Sequence, residues 1–514
     1  MSTPPEIHYD IVSEIIFSSV EKYPDKIAIC DPKNDLSYRD FGTSVKRIAN
    51  GLLSLGCQPG ARCLIILPNS VSFIQTHAAI LYSRMISVPC DFDISHNSLR
   101  DIVKSCDPSV VVSTTKVIDK FSNLLKNMII VSADSDDDII SKKIFSLNKI
   151  LINGEEVSLS EPISKTASIM YTTGTTGQSK GVMLTHKNVV CAINNICDFV
   201  GYDSNDREVV VLPLSHNFGL GHVYCNLKCG GSIYTEHGLL RVNRVLKKIE
   251  SFKATGFPTT PSGVDLLTKR YGEVLEKRLK NLKFSIINSA PLTSEQMITL
   301  QSILPSLNIF VYYGMTEASR TTFISLSNKG KDFYESVGKP MKDIQVVIRN
   351  ENGDELPMGS EGEINISGPT VSTGYWNNLE EDSKSFRDGE LISGDLAFMD
   401  ENGYLYITGR KKDQINVGGY KVNPLEVEEV VRNYPGVIEC AVCSVRSDFS
   451  EVVALGVVVE DHSSFDIQDL LKSCNDELEH WKIPHIAKIL IHIPRTNTGK
   501  VKRKELSQLL SEGI

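Results

Sequence analysis

Residues 171–181 read YTTGTTGQSKG, with three glycines, four threonines, a serine and a lysine directly behind an apolar, strand-like run. Glycine lets backbone N–H groups converge on an anion, the hydroxyls add donors, and Lys180 adds charge; a polyphosphate needs all three. The spacing is GxxGxxKG. A Walker loop requires GxxxxGK followed by Ser or Thr, and Gly181 stands where the magnesium-binding hydroxyl would be, which disfavours a P-loop phosphotransferase. Taken alone, the segment also reads as a flexible Thr/Gly surface loop. A second string, YYGMTEAS at 312–319, offers a close-approach glycine, the Thr316 hydroxyl and Glu317, whose hard oxygens suit Mg²⁺. Its plainer reading makes Thr316 a helix N-cap. Within 392–410, Asp395 and Arg410 could bond ribose hydroxyls, although singly they read as a turn residue and a surface charge. The fourth is PRTNTGKVKRKEL at 494–506, where Lys500 follows a glycine in a polar loop that could equally be a solvated basic tail.

These groups must be held by elements, and 514 residues are more than one core organises, so two or three domains are expected. Strand-like runs (CLIILP, ISVPCD, VVVSTT, SIMYTT) alternate with helical ones, which argues a parallel, helix-covered sheet. The polar stretch 132–161, with DSDDD, reads as a surface excursion. VVVLPL, GSIYTE, ATGFPT, FSIINS and IFVYYG form a second strand–helix series. From about Val337, short strands with Gly-rich turns suggest a small barrel or antiparallel sheet. After GRKKDQ a compact mixed unit follows. The expectation is an α/β protein: a large N-terminal domain, 1–410, of two helix-covered, mainly parallel sheets plus a β-barrel-like subdomain, and a small mobile α+β C-terminal lid, 411–514.

With 41% hydrophobic and 23% charged residues and a net charge of −9, the chain is an ordinary globular protein, and a generic nucleic-acid binder is disfavoured. Its twelve cysteines are scattered. The close pairs, Cys225 with Cys229 and Cys440 with Cys443, lack the second pair a thiolate zinc site needs. Cys440 and Cys443 lie in a strand-like run, where residues three apart face opposite sides. No basic region followed by an apolar stretch opens the chain, and no window nears the ~18 apolar residues of a membrane span. A reducing, cytoplasmic setting is expected.

The four strings in this order, with GRKKDQINVGGYKVNPLEVE between the third and fourth, resemble the adenylate-forming superfamily over nearly the whole chain. That superfamily comprises acyl-CoA synthetases, nonribosomal-peptide adenylation domains and beetle luciferases, and the similarity is greatest to acyl-CoA ligases. The resemblance implies that ATP, with Mg²⁺, turns a carboxylic acid into an acyl-adenylate that a thiol then attacks. It implies that Thr172, Thr173, Gly174, Thr175, Thr176, Gly177 and Lys180 wrap the β- and γ-phosphates, and that Glu317 binds Mg²⁺. Ser289, Ala290 and Pro291 would lie along adenine, with Tyr313 stacked on it and Tyr312 beside it in the ATP site. Thr316 would touch the α-phosphate, and Asp395 and Arg410 the ribose. Lys500 would bridge carboxylate and α-phosphate, Lys412 would be the hinge, and Gly418 and Gly419 would border the incoming thiol. His216 resembles a gate beside the carboxylate, with Phe218, Gly314 and Met315 in the acid pocket; a helix-start histidine satisfied by backbone is the alternative. Residues 213–223 hold no Asp or Glu to pair an α-ammonium, which disfavours amino acids and leaves a fatty, aryl or small hydroxy acid. Asn416 replaces a lysine of many relatives, and Ser179 a frequent proline. CoA is favoured over a carrier-protein phosphopantetheine arm as acceptor; a non-catalytic nucleotide-binding scaffold is the rival of another class.

Overall fold

The computed structural model describes residues 11–139, 143–153, 155–156, 164–173, 179–239, 241–290, 292–327, 329–417, 420–446, 451–496 and 499–512. One sheet has seven strands in the order Ile144–Ser146, Ile129–Ser132, Val110–Ser113, Arg62–Ile66, Ile86–Pro89, Thr166–Thr173 and Ser179–Thr185. All neighbours are parallel except the last pair. Val110–Ser113 and Ile86–Pro89 are buried at every position, as expected of strands covered on both faces by helices. The helices start at well-defined caps. Ser70 accepts from Phe73 N at 3.2 Å before Val71–Tyr82, and Thr185 with Asn188 forms a capping box before His186–Val200.

The second sheet begins with Asp35–Ser37, Ile27–Cys30, Ser232–Thr235 and Arg207–Val210 side by side. Gly256 then bridges Glu208 to Phe284, which joins this set to the parallel strands Phe284–Ile287 and Asn308–Tyr313. From Asn308–Tyr313 onward every pairing is antiparallel, through Thr322–Ser325, Ser336–Pro340, Leu405–Arg410, Glu390–Met399, Gly362–Ser367 and Gln345–Arg349. The Gly-rich strands after Val337 are therefore a continuation of the second sheet.

Two details depart from the sequence reading. The stretch 132–161 is not wholly excursion: Ile144–Ser146 adds an edge strand to the first sheet, and Leu147–Asn153 forms a helix. A three-residue strand followed by a two-turn helix is too short for either periodicity to register. The first strand of the chain, Ile27–Cys30, pairs with Ser232–Thr235 some two hundred residues later, a non-local contact that no local pattern carries.

The C-terminal unit has its own cores, built from residue 415 onward. Its sheet is Val437–Arg446, Glu451–Val459 and Ile486–Ile489. Cys440 packs with Val427 and Leu470 on one face, and Cys443 with Leu506 and Leu510 on the other, so the two thiols point apart. Arg503 stitches the unit together, reaching Glu428 Oε1 at 2.6 Å and Asp413 Oδ2 at 3.3 Å. Among the described residues no helix is long and apolar enough to cross a membrane.

Candidate active site

The predicted phosphate loop begins and ends on two antiparallel paired strands, Thr166–Thr173 and Ser179–Thr185, with Thr172 opposite Lys180. Gly174, Thr175, Thr176 and Gly177 lie outside the described residues, while Thr172 and Lys180 mark its two arms. Lys180 sits on the returning strand and forms an ion pair with Glu381 of the short helix Leu379–Ser385. That lysine holds the Glu381 carboxyl below the usual glutamate value. Lys180 Nζ also lies 5.7 Å from the centre of the Tyr375 ring, and the Tyr375 hydroxyl donates to Glu317 Oε1 at 2.9 Å. One tyrosine therefore links the cation of the hairpin to the acid of the second motif.

Residues 314–320 form turns and no helix, so Thr316 is not an N-cap. Glu317 is buried, and its backbone carbonyl accepts from Ser372 N at 2.7 Å. Burial, reinforced by the Glu317 charge, raises the Tyr375 phenol above its ordinary value, so it remains a neutral donor. With Oε1 bonded to that donor and no described donor on Oε2, Glu317 offers a hard, anionic oxygen to a cation. Such a site fits Mg²⁺, which takes one or two carboxylates and completes its shell with phosphate oxygens and water.

Asp395 and Arg410 face one another across the antiparallel strands Glu390–Met399 and Leu405–Arg410. Arg410 Nε donates to Asp395 Oδ1 at 2.6 Å, and Tyr313 OH donates to Oδ2 at 2.8 Å. Burial raises the Tyr313 phenol well above its ordinary value, and the Asp395 charge adds to the effect, so Tyr313 also stays protonated. Each carboxylate oxygen has a second lone pair left for a sugar hydroxyl. Ser289, just beyond the strand Phe284–Ile287, has φ 89°, a left-handed conformation that a serine adopts only at a cost. Ala290 beside it is exposed, and Pro291 lies outside the described residues.

Tyr312 does not join Tyr313. Successive strand residues point to opposite faces, and Tyr312 stacks on Phe323, with ring centres 5.1 Å apart, and meets Phe218 edge-on at 5.7 Å. Its ring therefore lies beside Phe218, which the resemblance assigns to the acid pocket, and away from the Tyr313 face. Gly314 is required nearby, since a Cβ there would come within 2.5 Å of Arg320 N. Met315 is partly buried against the same core.

His216 immediately precedes the helix Asn217–Cys229 but does not cap it through its side chain. Its backbone N–H donates to Pro213 O at 3.2 Å. Burial lowers the ring's pKa, opposed by Asp91 and reinforced by Lys500, which places the imidazole within the field of the fourth motif. One buried carboxylate does stand near this helix, outside the 213–223 window: Glu208, whose oxygens are taken by His222 at 3.0 Å and by Asn226. An incoming ammonium would have to break that network.

Lys500 lies in a loop of the C-terminal unit. Its loop is tied by Thr496 N to Lys500 O at 2.8 Å and by Lys500 N to Thr496 Oγ1 at 3.1 Å. A Cβ on Gly499 would lie 3.4 Å from Ser262 Oγ, so the loop rests against the helix Pro261–Arg278 of the N-terminal body. The charges of Arg410, Asp395 and Glu317 act on its amine. Desolvation lowers its pKa, Arg410 adds to this, and the two acids oppose it. Lys412 is exposed in the turn Lys411–Asp413, and Gly418 and Gly419 lie outside the described residues. Sequence reasoning missed Tyr375, Glu381 and Arg320. Each is a single residue in an ordinary string, and only the fold reveals what it touches.

The family described as AMP-binding enzyme matches residues 16–376, and its C-terminal domain matches 426–500. The chain belongs to the AMP-binding enzyme family. It is an AMP-forming ligase that activates a carboxylic acid and passes the acyl group to a thiol. The chain is 29% identical to 4-coumarate–CoA ligase-like 6 of Arabidopsis thaliana, over 93% of this chain and 87% of that one. It is 27% identical to a long-chain-fatty-acid–CoA ligase of Bacillus subtilis, over 96% and 94%. ATP-bound MatB from Rhodopseudomonas palustris superposes with a TM-score of 0.88 at 25% identity, covering 98% of this chain and 99% of that one.

Proposed function

We propose that the acid is activated by ATP with Mg²⁺ and transferred to CoA, and that the residues gathered around Lys500 carry the first step. The observation behind this reading is that the charges acting on Lys500 are those of Glu317, Asp395 and Arg410, residues of two other motifs up to nearly two hundred residues away in sequence. A carboxylate attacking the α-phosphate of ATP brings two anions together. In this reading Lys500 neutralises both as the new P–O bond forms and pyrophosphate leaves. Thr316 and the hairpin arms, Thr172 and Lys180, orient the phosphates; Asp395, Arg410 and Tyr313 hold the ribose; Ser289 and Ala290 border adenine. Mg²⁺, when bound to Glu317, supplies charge neutralisation at the phosphate oxygens. His216 lines the approach of the carboxylate. The thiol sulfur then attacks the acyl carbon, and AMP departs.

CoA is the acceptor this reading favours, because the curated relatives reported above are named as CoA ligases. A phosphopantetheine arm on a carrier protein is the alternative. The acid cannot be inherited from those relatives, which are named for coumarate and for long-chain fatty acids. We divide the chain into a 1–410 body and a 411–514 lid hinged near Lys412, on the strength of the separate C-terminal cores. Twelve free thiols suit a cytoplasmic setting. The test is acid-dependent ATP–pyrophosphate exchange, followed by product analysis with CoA or a phosphopantetheinylated carrier. Exchange with an acyl-CoA product is expected; absence of exchange with every acid would favour a scaffold.

A further inference from the structure

Arg320 is a buried cation without an acid. It is 4% exposed, and among the described residues no carboxylate lies within ion-pair distance. Its guanidinium is held by neutral groups: Asn217 O at 2.9 Å, Phe218 O at 3.4 Å, Ser319 Oγ at 2.6 Å and the Tyr312 ring, whose centre is 5.5 Å away. Its backbone is left-handed, φ 56°, a conformation unfavourable for arginine. The helix Asn217–Cys229 makes room for it with a missing side chain, since a Cβ on Gly221 would sit 1.9 Å from Arg320 Nη2. An unpaired charge kept in the interior at this cost is explained by a counter-ion that arrives with a ligand.

The guanidinium borders a cavity of about 30 Å³ walled by Val189 and Ile193. Three residues lining that cavity each carry a buried polar atom without a hydrogen-bond partner among the described residues: Asn217 Nδ2, Ser168 Oγ and Thr370 Oγ1. Ser168 and Thr370 are each 1% exposed. Native interiors rarely leave such groups unsatisfied, and here three share one small space with a cation. The room suits a group the size of a carboxylate and not a long hydrocarbon tail, which would also press methylenes onto an uncompensated charge.

We propose that Arg320 and Asn217 receive a second carboxylate at the far end of the acid, so that the substrate is a short dicarboxylic acid. The inference rests on the acid-activating reading above and sharpens it. A site built around a charge-assisted bond discriminates strongly against an analogue that lacks the partner.

The test is pyrophosphate exchange by the full chain with length-matched pairs, butanedioate against butanoate and pentanedioate against pentanoate, with hexadecanoate alongside. At least one diacid is expected to show a KM lower than its monoacid by about 10²-fold. Arg320→Met should erase that preference, raising the diacid KM by about 10²-fold while leaving the KM for ATP unchanged; Arg320→Lys should restore part of it. Asn217→Leu provides a milder variant, with a loss of about tenfold. Should Arg320→Met fail to fold, the wild-type pairs and Asn217→Leu decide. Exchange that favours monoacids or hexadecanoate overturns the inference and leaves the ligase reading standing. Exchange with no acid overturns the ligase reading and the inference with it.

Discussion

Around Lys500 the local charges pull its proton affinity in two directions. Partial loss of hydration and Arg410 lower its pKa from the ordinary 10.5, and Asp395 and Glu317 resist. The useful form is the cation, which is lost as pH rises through the lowered value, so the exchange rate should decline on the alkaline side at a pH below 10.5. Lys500→Arg keeps the charge at all accessible pH values, and an exchange-rate profile should show that limb displaced upward. Tyr375→Phe removes the hydroxyl on Glu317 Oε1 and leaves the ring beneath Lys180. A loss of about tenfold in kcat/KM, expressed mainly as weaker Mg²⁺–ATP binding, is expected from titrations of the metal. At this scale the sequence is most legible where rare residue types cluster at fixed spacing, as for Glu317 and Lys500. Glu381 and Tyr375 give no such signal. Tyr312 and Tyr313 are neighbours of the same type, and which faces the nucleotide depends on a strand orientation that only the fold supplies.

Elements carry these residues with unequal visibility. The strand leading into the phosphate loop and the short strands with turn glycines after Val337 are recognisable from apolar runs, whereas the returning strand that carries Lys180 is not. The edge strand Ile144–Ser146 was not, because three residues carry no period. In the C-terminal unit, Arg503 joins the helix Arg503–Ser511 to Glu428 on Pro424–Arg432, and both partners are largely buried. Arg503→Ala leaves Glu428 uncompensated and should destabilise that unit by about 3–5 kcal/mol, seen as an early transition in denaturant unfolding. The large body should unfold at its usual midpoint.

The whole molecule shows why the motif order could be read while the topology could not. Motif order follows the chain, whereas pairing Ile27–Cys30 with Ser232–Thr235, or closing Lys500 over Asp395, depends on contacts spanning a hundred residues or more. Lys412 lies in the short turn between the last strand of the body and the separately packed unit. Lys412→Pro fixes φ at this turn and should spare pyrophosphate exchange to within a few fold while slowing thiol transfer by about tenfold or more, as measured by quenched-flow assay. The proposed lid role of the C-terminal unit is tested most directly with Lys500→Ala, by comparing pyrophosphate exchange with CoA acylation from supplied acyl-adenylate. Exchange should fall by about 10²–10³ or more, with acyl transfer nearly intact. Equal loss in both half-reactions would contradict a lysine delivered for adenylation alone.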